Sequence, residues 1–106
     1  MAKKTIMLAC SAGMSTSLLV SKMQKAAAAE NKDYEIFATS VSDIDNQLSK
    51  GTVSVLMLGP QVSYMKGDVK AKTDRAGIPM DVINMQDYGM MNGEKVLASA
   101  EKLMGI

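Results

Sequence analysis

The sequence predicts one α/β domain: a four-stranded parallel sheet in the order 2-1-3-4, with helices on both faces in three layers. Three observations predict it. Four short β-like runs alternate with stretches of helical periodicity, two of those runs are almost wholly apolar, and the connections between them are short. Strands that read as continuous apolar runs belong in the middle of a parallel sheet, where both faces are covered.

The first run is Thr5 to Ala9. A helix follows from Thr16 to about Asn31, with Leu18, Leu19, Met23, Ala26 and Ala27 placed inward and Lys22 and Lys25 outward, ending in the polar turn Glu30-Asn31-Lys32-Asp33. Tyr34 to Thr39 is the second run. Ser42 or Asp43 caps a short helix through Leu48 that Gly51 closes. Gly51-Thr52 then leads into the third run, Val53 to Leu58, which Gly59-Pro60 stops, and a helix spans Val62 to about Ala76 before Gly77 and Pro79. The fourth run is Met80 to Ile83. Asn92 caps a last helix in which Val96, Leu97, Ala100, Leu103 and Met104 recur at helical spacing, and Asp87-Tyr88 before it reads as a solvated turn. No repeat or linker interrupts residues 1–106, so they are expected to form one domain with one site.

Composition excludes several classes of function. A net charge of +1, one phenylalanine, three tyrosines and no tryptophan give neither the basic field nor the aromatic platforms of a nucleic-acid binder. Hydrophobic content of 47% and charged content of 22% are those of a globular domain. The apolar runs are far shorter than the roughly 20 residues that cross a bilayer, so no direct membrane insertion is expected. With one cysteine, no internal disulfide and no signal-peptide pattern, the expected location is cytoplasmic. No histidine and one thiol leave no credible zinc ligand set, and no cofactor is expected.

Cys10 is that thiol, at the point where Ile6-Met7-Leu8-Ala9 breaks into Ser11-Ala12-Gly13-Met14-Ser15-Thr16-Ser17. A helix start presents unpaired N–H groups and favours anions. The stretch from Met1 to Ala29 contains no acidic residue but has Lys3, Lys4, Lys22 and Lys25, which leaves the complementary charge to a ligand or to a thiolate. Gly13 lets the backbone bend close to a ligand, while Ser11, Ser15, Thr16 and Ser17 supply hydroxyls. Nucleophilic chemistry of the sulfur on phosphorus follows as one reading. A buried structural cysteine followed by an incidental serine-rich turn is the other.

The loop is not a Walker A motif, because the second glycine and the Lys-Ser/Thr pair are missing. It is nearer to the loop of the cysteine phosphatases, which runs Cys, five residues, Arg, then Ser or Thr. Here Thr16 holds the arginine position and Ser17 follows, so the site lacks a bidentate guanidinium clamp.

The stretch CSAGMSTSLLVSKM, Cys10 to Met23, resembles the signature of the enzyme IIB component of the sugar phosphotransferase system, lactose/cellobiose/chitobiose family. The likeness continues in Val55-Leu56-Met57-Leu58-Gly59-Pro60-Gln61-Val62-Ser63-Tyr64-Met65 and, more weakly, to the end of the chain. The resemblance implies a phosphotransferase that works as a phosphoryl relay. Cys10 would accept a phosphoryl group from a phosphohistidine on a IIA partner and pass it to a sugar held by the membrane IIC permease. Ser11, Ala12, Gly13, Met14, Ser15, Thr16 and Ser17 match the family's phosphate-binding loop. The missing arginine is then expected of a carrier that keeps its phosphocysteine from water. A small cysteine-dependent phosphatase and a phosphate-sensing regulatory domain are the alternatives.

Sheet order adds a test. Open α/β sheets bind ligands beyond the carboxyl ends of their strands where chain order reverses, here between the first and third strands. That point brings Gly59 to Tyr64 beside the Cys10 loop. Gln61 and Tyr64 are therefore candidates for the rim of the site, with packing on the following helix as the competing role. Met14 is the methionine singled out for partner docking, whereas Met7, Met23 and Met57 are expected in the core.

Overall fold

A computed structural model of the chain describes residues 4–11 and 14–106, and for residues 14 and 15 the backbone alone. Its elements run β1 (Lys4–Cys10), α1 (Met14–Ala29), β2 (Tyr34–Ser40), a 3-10 turn (Val41–Asp43), α2 (Ile44–Ser49), β3 (Val55–Leu58), a 3-10 segment (Pro60–Met65), α3 (Lys66–Ala76), β4 (Met80–Val82), α4 (Met85–Gly89) and α5 (Gly93–Met104). The four strands form one parallel sheet in the expected order β2-β1-β3-β4.

Side chains alternate across the central strands and divide the interior in two. Ile6 and Leu8 of β1 with Val55 and Met57 of β3 meet Leu19, Met23 and Ala27 of α1 and Val96, Leu97 and Ala100 of α5. Met7, Ala9, Leu56 and Leu58 face the other way onto Ile44 of α2 and Val69 of α3. Large residues such as Ile6, Leu8, Leu19, Leu56 and Leu58 are fully buried. Each contributes roughly 1.5–3 kcal/mol of transfer free energy. Met7, Met23 and Met57 lie in this core as expected.

Chain ends of the helices follow local chemistry. Asn92 Oδ1 accepts from the Lys95 N–H and caps α5, as its sequence position predicts. Gly77 takes a left-handed conformation, φ 77°, that closes α3.

Several expectations need correction. Leu18 is 54% exposed rather than inward. It recurs with Lys22 and Lys25 at i, i+4 and i+7, which puts it on their outer face, one helical step away from the Leu19-Met23-Ala26 stripe. Asp87-Tyr88 is not a solvated turn but part of α4, with Tyr88 6% exposed in the core. The expected helix from Val62 begins as a 3-10 segment at Pro60, broken by Val62 at φ −116°, ψ 24°, before the α-helix starts at Lys66.

Candidate functional site

The α1 and α5 face of the sheet receives the even-numbered residues of β1, so Cys10 continues the line of Ile6 and Leu8 toward α1. It is 4% exposed at the strand's carboxyl end. Its Sγ lies 3.1 Å from Oγ1 of Thr16, a fully buried residue on the first turn of α1. Thr16, which holds the sequence position of the phosphatase arginine, thus places a neutral hydroxyl in contact with the sulfur itself.

The helix behind it is unlike the others. Each of α2, α3, α4 and α5 carries an acidic residue in its first turn, respectively Asp45, Asp68, Asp87 and Glu94. The first turn of α1 has none. An acidic side chain there would both compensate the positive end of the helix and repel an incoming anion, and none stands in that turn to do either.

Ser11 and Ser17 are exposed on either side of the break between strand and helix. Ala12 and Gly13 lie outside the described residues, as do the side chains of Met14 and Ser15. On the neighbouring strand, Ala9 is in register with Leu58, and the Gly59 N–H donates to the Ala9 carbonyl at 2.8 Å. The segment after β3 is therefore brought alongside Cys10, as the switch-point argument requires. A Cβ placed on Gly59 would stand 3.2 Å from Cys10 Cβ and 3.5 Å from Gln61 Oε1, so Gly59 has both residues as neighbours. Tyr64 is 82% exposed and so is not packed away on the following helix.

Sequence reasoning did not single out Gly59. Its signal was the Gly-Pro pair at the strand end, read there as a stop. Ser40 ends β2 in register with Cys10, a relation that needs strand pairing to be seen. A separate cleft of about 640 Å³ opens between β4 and α5, with Asp81, Asn84, Asp87, Ser99 and Lys102 on its walls, and its lining includes none of Cys10, Thr16 or Gly59.

No helix among the described residues is long and apolar enough to cross a membrane. Residues 5–99 match the family described as the lactose/cellobiose-specific IIB subunit of the PTS system. The chain is 69% identical to a galactose-specific EIIB component of Lactococcus lactis subsp. cremoris, across 98% of this chain and 99% of that protein. It is equally similar, with the same coverage, to a cellobiose-specific EIIB component of Lactococcus lactis subsp. lactis. A solved structure, the cellobiose-specific phosphotransferase IIB component of Borrelia burgdorferi, superposes with a TM-score of 0.80 at 36% identity, covering 98% of this chain and 94% of that one. The chain belongs to the lactose/cellobiose-specific IIB family and is a phosphotransferase component of a sugar phosphotransferase system.

Proposed function

We propose that this chain, acting over residues 1–106 as one cytoplasmic IIB domain, relays a phosphoryl group through Cys10 from a IIA phosphohistidine to a sugar bound by the membrane IIC partner. The observation that carries the reading is the placement of Cys10 Sγ. It sits at the switch point of the sheet, 3.1 Å from a buried threonine hydroxyl and before a helix whose first turn is free of acids.

In the first transfer the Cys10 thiolate attacks phosphorus in line with the histidine nitrogen. The S–P bond forms as the P–N bond breaks, the electron pair stays on the imidazole nitrogen, and the proton lost by the thiol ends on that imidazole. In the second, a sugar hydroxyl oxygen attacks the same phosphorus. The O–P bond forms, the S–P bond breaks, sulfur keeps the pair, and the hydroxyl proton restores the thiol through solvent. The loop from Ser11 to Ser17 spreads the charge of the transferring group through N–H and hydroxyl donors, and Gln61 supplies an amide at the rim.

Thr16 supports a carrier rather than a hydrolase. A phosphatase needs a clamp that stabilises attack by water, whereas a neutral hydroxyl orients the sulfur and adds no fixed charge. Leu18, Tyr64 and Met85, on the segments that follow β1, β3 and β4, are 54%, 82% and 73% exposed and offer apolar side chains that IIA or IIC would contact. Two relatives of equal similarity are named for different sugars, which fits the sugar being chosen by the membrane partner.

Mixing the chain with phosphorylated IIA tests the proposal. Wild type should take up label and Cys10→Ser none. Label retained on another residue of Cys10→Ser contradicts the relay, and continuous phosphate release by wild type supports the phosphatase instead.

A further inference from the structure

Gly59 has an extended backbone, φ −63° and ψ 142°, which any residue adopts. Its conformation therefore gives no reason for glycine, unlike Gly51, Gly77 and Gly105, which have φ between 71° and 81°. The reason lies in what the bare α-carbon faces. A Cβ at Gly59 would approach Cys10 Cβ to 3.2 Å and the Ala9 carbonyl oxygen to 3.3 Å. Neither atom can swing away. Cys10 Cβ is fixed by the backbone of β1, and the Ala9 carbonyl is held by the Gly59 N–H at 2.8 Å. Accommodating a methyl group requires the ends of β1 and β3 to part by a few tenths of an ångström.

We propose that Gly59 is a positioning residue for the transfer at Cys10: its missing side chain lets β3 close on Cys10 Cβ and so aims the sulfur between Thr16 and the open edge. The proposal rests on Cys10 being the phosphoryl acceptor. Sγ is one bond from the atom that a Gly59 side chain would press on, and Thr16 Oγ1 approaches it to 3.1 Å. A displacement of Cβ therefore turns Sγ against Thr16 and away from the line of attack. Reactions that depend on a near-attack geometry lose about 10²-fold for a misplacement on the order of 1 Å, so a shift of a fraction of that is expected to cost about tenfold.

The test is Gly59→Ala, with Gly67→Ala as the control because a Cβ there meets nothing within 4 Å. Single-turnover transfer from phosphorylated IIA is measured for each at varied IIA concentration, alongside thermal melts. Gly59→Ala should transfer about tenfold more slowly at saturating IIA, with half-saturation unchanged, while Gly67→Ala stays within twofold of wild type. A Gly59→Ala chain that melts earlier but transfers at the wild-type rate would show that Gly59 only packs, and overturns the proposal. If the variant does not fold, amide spectra of wild type before and after phosphorylation decide: the Gly59 signal should move, and an unmoved signal overturns it. Wild type that takes no label on Cys10 contradicts the relay itself, whereas equal transfer by labelled wild type and Gly59→Ala contradicts the role of Gly59 alone.

Discussion

The two ends of the sheet use polar groups in opposite ways. At the amino end, Lys32 and Tyr34 at the start of β2 converge on Glu101 in the last turn of α5. Tyr34 Oη donates to Glu101 Oε2 at 2.6 Å, and Lys32 Nζ bonds the same oxygen and, at 2.9 Å, Glu30 Oε1. At the carboxyl end, Cys10 meets the neutral hydroxyl of Thr16 and the bare α-carbon of Gly59. The amino end spends its charges on one another and fixes α5 to the sheet. The carboxyl end leaves the first turn of α1 without an acidic residue, which suits the proposed site for a phosphoryl group.

Thr16→Val breaks the site end most sharply, because valine keeps the shape and removes the hydroxyl. Transfer to Cys10 should fall about ten- to a hundredfold, somewhat less than removal of a typical preorganised donor, while stability drops by only about 1 kcal/mol. Rapid-quench labelling and a denaturant melt measure the two quantities. Transfer at the wild-type rate would mean that the hydroxyl only fills space.

Gly93→Ala sharpens the contrast from the scaffold side. Gly93 opens α5 against α1, where a Cβ would lie 2.6 Å from the Lys22 carbonyl carbon and 2.8 Å from the Met23 nitrogen. Prising the two helices apart should cost about 2–3 kcal/mol in a urea melt, the upper part of the range for overpacking. Transfer by the folded fraction should be unchanged. A comparable loss of transfer would show that the α1 and α5 packing also sets the geometry at Cys10.

The smallest effect is a pH dependence at the amino end. Burial by itself would raise the Glu101 carboxyl, but hydrogen bonds from Lys32 and Tyr34 hold it below its ordinary value of 4.5. The stability this gives is present above that value and is lost as pH falls through the lower folded value. Tyr34 is raised above 10.0, chiefly by burial and by its bond to Glu101, and Lys32 is raised by Glu101 and Glu30, so their share is present below pH 10 and lost as alkali titrates them. Glu101→Gln should lose about 1 kcal/mol near neutrality and flatten the acid limb of a stability profile, with transfer unaffected. An acid limb identical to wild type would remove the charge lock from the account.

The carboxyl end was the more legible of the two in sequence. Cys10 and Thr16 lie six positions apart within the acid-free stretch, and a strand-loop-helix boundary can be read from local pattern. The central place of β1 and β3 followed from their almost wholly apolar runs, and Asn92 caps α5 where its chemistry predicts. The amino-end lock joins residues 67 and 69 positions apart, which no local pattern reveals. Gly59 was read as a strand stop because its contact with Cys10 exists only once β1 and β3 are paired. Tyr88 was missed because α4 is five residues long, too short for periodicity. Its signal was Asn84, whose side chain accepts from the Gln86 and Asp87 N–H groups.

On the proposed relay, Cys10 receives a phosphoryl group and keeps it until an acceptor takes it. Intact-mass analysis with peptide mapping, after mixing the chain with phosphorylated IIA and no sugar permease, measures this directly. The account predicts a single phosphoryl group on Cys10 that persists and returns to dephosphorylated IIA when that is added in excess. A chain that stays unmodified at Cys10, or one that steadily releases inorganic phosphate, would contradict it.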